Sequence, residues 1–121
     1  MLSKVFDTDS LYEFKIVAQA GPTLIKNSIN NYNTSNAVNN ERFLYDVLRR
    51  TAHTGIGVTK FNKLILGWAR NSSLNVMADK FMEYGSSDAM NCDGGSSSSL
   101  KSINIIYGNL NPKFGIGLIR K

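Results

Sequence analysis

His53 is the single histidine in 121 residues, and its neighbours in the chain decide what chemistry it could do. With Arg49 and Arg50 shortly before it and Lys60 after it, the segment suits a metal-independent ribonuclease: His53 as base, the cations stabilising a phosphorane, and carboxylates, lysines or tyrosines handling the second proton. A serine triad has no nucleophile-elbow sequence to carry it. The plainer use of His53 is electrostatic, an imidazolium near the C-terminus of a helix meeting the negative end of the dipole, worth ~0.3–1 kcal/mol.

Three other groupings fail as chemistry. In Asp88-Ala89-Met90-Asn91-Cys92-Asp93-Gly94 the Asn-x-Asp-Gly portion fits a calcium loop, but the first position would be Ala89 and the twelfth Leu100, so the leading carboxylate and the bidentate glutamate are missing. Cys92 has one soft partner, His53, where zinc needs three or four ligands. Gly94-Gly95 and the four serines after it lack the lysine and spacing of a P-loop and read as a tether. The run Gly55-Ile56-Gly57 before Lys60 is compatible with an anion-binding loop at a helix start, but a helix-helix connection that needs glycine for its backbone angles is the preferred reading. No metal or cofactor is therefore expected.

Charge is the stronger signal. Seven of the fourteen Lys and Arg residues fall between Arg42 and Lys80, where Asp46 and Asp79 are the opposing acids. Asp46 precedes Arg49 and Arg50 at helical spacing and partly neutralises them. Lys60, Lys63 and Arg70 have no such carboxylate, and on a helix they would share one face with Gly67. Lys113 and Arg120 add charge near the C-terminus. The expected polyanion-binding residues are thus Lys60, Lys63, Arg70, Arg49, Arg50, Lys113 and Arg120, contacting phosphates of DNA or RNA.

The elements that would have to position these residues follow from periodicity and capping. Asp9 or Ser10 could cap a first helix reaching Ala20, although Phe14, Ile16 and Ala18 also alternate as a strand would. Pro22 opens a short helix carrying Leu24, Ile25, Ile29 and Tyr32, and Asn33 to Asn40 reads as a polar loop. A helix is expected from Glu41 to Ala52, with Phe43, Leu44, Val47 and Leu48 inward. Thr59 would cap another to Arg70, with Phe61, Leu64, Ile65 and Trp68 inward. Ser72 or Ser73 would cap a further helix with Leu74, Met77, Ala78 and Phe81 inward, ended by Gly85. Ser102–Tyr107 and Phe114–Arg120 read as the two strands of a hairpin.

The expectation is a single α+β domain: a mainly helical body of four to five short helices over residues 1–85, a flexible polar loop over 86–99 and a β-hairpin over 100–121. A winged helix-turn-helix is the alternative arrangement. At this length one hydrophobic core suffices. One cysteine excludes an internal disulfide and suits a reducing, cytoplasmic setting. The start of the chain builds no apolar signal-like stretch, and no run is long enough to span a membrane. The Asn-, Ile-, Lys- and Ser-rich composition would suit a phage or mobile-element protein. The functional expectation is a small, basic, non-enzymatic binding protein with nucleic acid as the leading partner. The second is an inhibitor or assembly subunit whose C-terminal hairpin, with Ile103, Ile105, Phe114, Ile116 and Leu118, joins a protein partner or another copy.

Overall fold

The computed structural model describes residues 20–95, 98–101 and 106–108. The chain is built around an antiparallel sheet with two α-helices among the described residues, which replaces the expected helical body. In order come β1 (Thr23–Lys26), β2 (Ile29–Asn30), α1 (Thr34–Asn39), a 3-10 turn (Tyr45–Leu48), β3 (Thr51–Thr59), β4 (Leu64–Ser72), α2 (Leu74–Glu83), β5 (Ser86–Gly94), β6 (Ser99–Lys101) and β7 (Ile106–Gly108). Five of these strands form one sheet in the order β2-β1-β5-β3-β4, and β6 pairs with β7 separately.

Each departure from the expected helices has a local cause. Asn27 and Ser28 both have positive φ, 52° and 63°, so Pro22 leads into a tight hairpin instead of a helix. That pair of left-handed residues is what a two-residue turn between twisted strands requires. The polar stretch expected as a loop winds into α1, because Asn33 caps it by accepting from the Asn36 amide at 2.7 Å. Glu41 does not start a helix. Its carboxylate accepts from the Thr23 backbone N–H at 2.9 Å and hydroxyl at 3.0 Å, and Arg42 follows with φ 65°. Those bonds tie the segment to β1, and a left-handed Arg42 ends any helical path.

The largest correction concerns residues 51–72. Thr51, Thr54, Ile56, Val58 and Thr59 are β-branched, and they form a long strand whose partner is β4, with Ile56 opposite Leu66 and Gly55 opposite Gly67. Thr59 does act as a cap, but of a turn: its Oγ1 accepts from the amides of Phe61 at 3.2 Å and Lys63 at 3.1 Å, and Asn62 has φ 57°. The supposed loop 86–99 is mostly β5, which pairs with β3 on one side and β1 on the other. The C-terminal hairpin pairs Ser99–Lys101 with Ile106–Gly108, a different register from the expected one. The expected strand Phe114–Arg120, the first helix to Ala20, and Ile103, Ile105, Lys113 and Arg120 lie outside the described residues.

One helix forms as read. α2 begins after Ser73, whose Oγ accepts from the Val76 amide, and it closes at Tyr84 before Gly85, which has φ 81°. Its buried residues are Leu74, Met77, Ala78 and Phe81. They pack with Leu24 and Ile25 of β1 and Ala89 of β5 as the core, with Ile65 and Ala69 of β4 alongside. α2 therefore covers one face of the sheet. No helix among the described residues is long and apolar enough to cross a membrane.

Candidate active site at the Asn91 end of the sheet

Residues directly opposite on neighbouring strands share a face. Asn91 lies opposite Gly55, and Gly55 faces the Phe81 ring, so Asn91 is on the helix side of the sheet. His53, two residues before Gly55, shares that side. Here, beyond the reach of α2, the cover is the 45–50 segment. Between that segment and the end of β5 opens a cleft of about 240 Å³, lined on one side by Asp46, Val47 and Arg49 and on the other by Asn91, Cys92 and Asp93.

The charged groups are held in a defined way. Arg49 Nη1 lies 2.9 Å from Asp46 Oδ1 and donates to the Asp46 carbonyl at 2.6 Å. Both side chains are exposed, so the pair is cheap to rearrange. The Arg49 backbone is anchored from below: its carbonyl lies 3.0 Å from His53 Nε2. A carbonyl only accepts, so that nitrogen carries the hydrogen. Nδ1 is buried without a partner among the described residues and sits against Gly94, where an added Cβ would come within 2.9 Å of it. Gly94 is thus kept small by His53. Asp93 is tied to β3 by its amide, which donates to Thr54 Oγ1 at 3.1 Å, and within β5 its Oδ1 accepts from the Gly94 amide at 2.9 Å.

Cys92 is disqualified as a nucleophile by its surroundings. Burial pushes its thiol up, the neighbouring negative charge of Asp93 adds to this, and a backbone hydrogen bond from Ile56 only partly opposes it. At neutral pH it is a protonated, half-buried thiol. Cys92 is expected to react with iodoacetamide at pH 7.5 roughly tenfold more slowly than free cysteine, since the thiolate is the reactive species. Labelling followed by intact-mass spectrometry checks this, and a rate equal to free cysteine would refute the protected environment.

The structure scatters the residues expected to bind nucleic acid. Lys60 sits in the β3–β4 turn, Lys63 just before β4 and Arg70 near its far end. At ~3.3 Å per residue along a strand, Lys63 and Arg70 are about 23 Å apart. The helix face that was to unite them does not exist. His53 is 0% exposed in β3, so it cannot present its imidazole to a substrate as a ribonuclease base must. Of those among them that are described, Arg49 alone lines the cleft, with Arg50 next to it in the chain. Gly55 and Gly57, considered above as an anion loop, lie mid-strand beneath Phe81. Among the described residues no cluster of three or more His, Cys, Asp or Glu side chains forms a metal site.

Sequence reasoning missed Asn91 and Asp93 as members of a site. They were weighed solely as calcium ligands on a loop, and the signal that could have promoted them is their place at the end of a strand. Asp46 was noticed merely as a charge neutralising Arg49.

Comparison with known proteins replaces the binding-protein reading, and with it the nucleic-acid, assembly, phage and ribonuclease variants. No curated protein matches the chain. Among solved structures it is similar to a hypothetical protein from Synechocystis, with 26% sequence identity and a TM-score of 0.63 over 76% of this chain. The chain spans 18% of the length of that protein. The phosphodiester glycosidase family matches over residues 4–116, nearly the whole chain, and the protein belongs to that family.

Proposed function

We propose that this chain carries part of the active site of a hydrolase that separates a sugar from a phosphodiester at the anomeric carbon. The observation that supports this reading is one cleft lined by a cation, Arg49, and by two acidic residues, Asp46 and Asp93. In the reaction water adds to the anomeric carbon, the bond from that carbon to the phosphate oxygen breaks, and the phosphate departs as a monoester. The water's protons end on the new sugar hydroxyl and on solvent or the product phosphate.

Such a bond needs less help than an ordinary glycosidic bond. Two carboxyl groups usually share that work, one protonating the leaving oxygen and the other acting on the opposite face of the sugar. A phosphate leaves as a stabilised anion, so its need is for a cation to bind its oxygens as charge gathers on them. Arg49 meets this need through a planar fork of donors suited to phosphate. Asp93 is then the carboxylate for the anomeric centre, and Asp46 orients Arg49 before substrate arrives.

Incubation with glucose 1-(methyl phosphate) in ¹⁸O-labelled water tests the reading. The expected products are glucose carrying the label at its anomeric oxygen and unlabelled methyl phosphate. Label in methyl phosphate would mean attack at phosphorus, and absence of any product or binding would remove the assignment to this chain.

A further inference from the structure

We infer that the side-chain oxygen of Asn91 reads a sugar hydroxyl in this cleft and so sets which glycosyl group is accepted; the inference rests on the function proposed above. Asn91 is 1% exposed and sits where β5 meets the cleft. Its Nδ2 donates to the Gly21 carbonyl at 3.1 Å, and its backbone amide donates to the Pro22 carbonyl at 3.0 Å. These bonds fix the amide. The Gly21 carbonyl demands a donor, so the nitrogen must be on that side and Oδ1 on the other.

Oδ1 is left buried with no hydrogen-bond partner among the described residues. A buried acceptor in this condition is destabilising and calls for an explanation. The Gly21 and Pro22 carbonyls beside it do find donors, both from Asn91. An acceptor locked in place at the edge of a cleft is what a specificity contact requires: it costs no reorganisation when a donor arrives. It also penalises any ligand that brings no donor. Sugars carry hydroxyl donors on almost every carbon, whereas a phosphodiester group is purely an acceptor, so Oδ1 serves the glycosyl half and Arg49 the phosphate half.

Oδ1 is closed to solvent in this structure. Arg49, whose carbonyl is held by His53, and Asp46, which pairs with Arg49, line the same cleft as Asn91. A phosphate arriving at Arg49 competes with Asp46 for the guanidinium.

The test compares glucose 1-(methyl phosphate) with its 2-, 3-, 4- and 6-deoxy analogues. On the unmodified chain, kcat/KM is expected to fall by about 10- to 100-fold for one analogue and to change little for the other three. In Asn91→Leu the parent compound is expected to become as poor as that analogue. Because leucine also strands the Gly21 carbonyl, a second readout uses the unmodified chain: the ¹³C shift of the Asn91 side-chain carbonyl should move with the parent compound and stay unmoved with the discriminated analogue. Equal turnover of all five compounds, or discrimination surviving in Asn91→Leu, overturns the role of Asn91 while leaving the hydrolase reading intact. Neither turnover nor binding of any of the five overturns both.

Discussion

Asp93→Asn is expected to reduce kcat/KM for glucose 1-(methyl phosphate) by about 10²–10⁴-fold, the range associated with a positioned acid–base group. One contact of the carboxylate survives the change: its Oδ1 accepts from the Gly94 amide at 2.9 Å, and an asparagine oxygen accepts the same bond. The backbone tie to Thr54 involves the amide of residue 93 and no part of its carboxylate. Thermal midpoints of the two proteins report any structural share of the loss. What the substitution removes is negative charge beside the carbon that becomes positive as the phosphate departs. That loss belongs to kcat, because the charge develops in the transition state and not on binding.

Two companion substitutions separate the roles of the charged groups. Arg49→Ala should raise KM and lower kcat together, because the guanidinium meets a phosphate that is charged in the ground state and gains charge as it departs. Asp46→Asn should do the least, since it frees Arg49 from an exposed pair of small energetic weight. If Asp46→Asn instead reproduced the collapse and Asp93→Asn were silent, the two carboxylates would have to exchange roles. The chemistry would survive, but its geometry would be turned around within the cleft.

How much of this was visible in the chain depended on distance along it. α2 was legible because everything that makes it is local: the Ser73 cap, the Leu74, Met77, Ala78 and Phe81 spacing, and Gly85 in the left-handed region after it. The β3–β4 hairpin was not. Phe61, Leu64, Ile65 and Trp68 satisfy helical spacing, yet Ile65, Gly67 and Ala69 turn to the core while Leu66 pairs with Ile56 on the other face. A strand with apolar residues on both faces loses its alternation, and the period that distinguishes strand from helix is lost with it.

The site was hidden for a related reason. Arg49 and Asp93 become neighbours only because β5 inserts between β1 and β3, so His53 meets Gly94 and Gly55 meets Asn91 across some forty residues of chain. No periodicity records that pairing. The basic residues were conspicuous in the sequence precisely where they are least connected in space, along β4 and its turn, whereas the polar residues of β5 carry little net charge and drew notice only as a failed calcium loop.

Phe81→Ala is expected to destabilise the protein by about 3–5 kcal/mol in urea unfolding, the range for deleting a buried aromatic ring. The reason lies in what surrounds the ring. It is 3% exposed and rests on a seat of three glycines, one from each of three strand positions: a Cβ at Gly55 would come 2.8 Å from the ring, at Gly57 2.8 Å and at Gly67 2.9 Å. Glycines cannot lean into the space a lost ring leaves, so the cavity stays nearly whole. Gly67 makes the argument testable as a pair. Its hypothetical Cβ meets the Phe81 ring and otherwise nothing nearer than the Gly55 carbonyl at 3.9 Å. Gly67→Ala should thus destabilise the parent, since ring and methyl compete for one volume. In the Phe81→Ala background it should be neutral or stabilising, because alanine fills part of the void and suits a strand better than glycine. The cycle should give a coupling of about 1–3 kcal/mol. Additive effects would mean that Gly67 is glycine for a reason other than the ring. A coupling of the expected sign would establish that this sheet gave up side chains at three positions so that one helix could approach it closely.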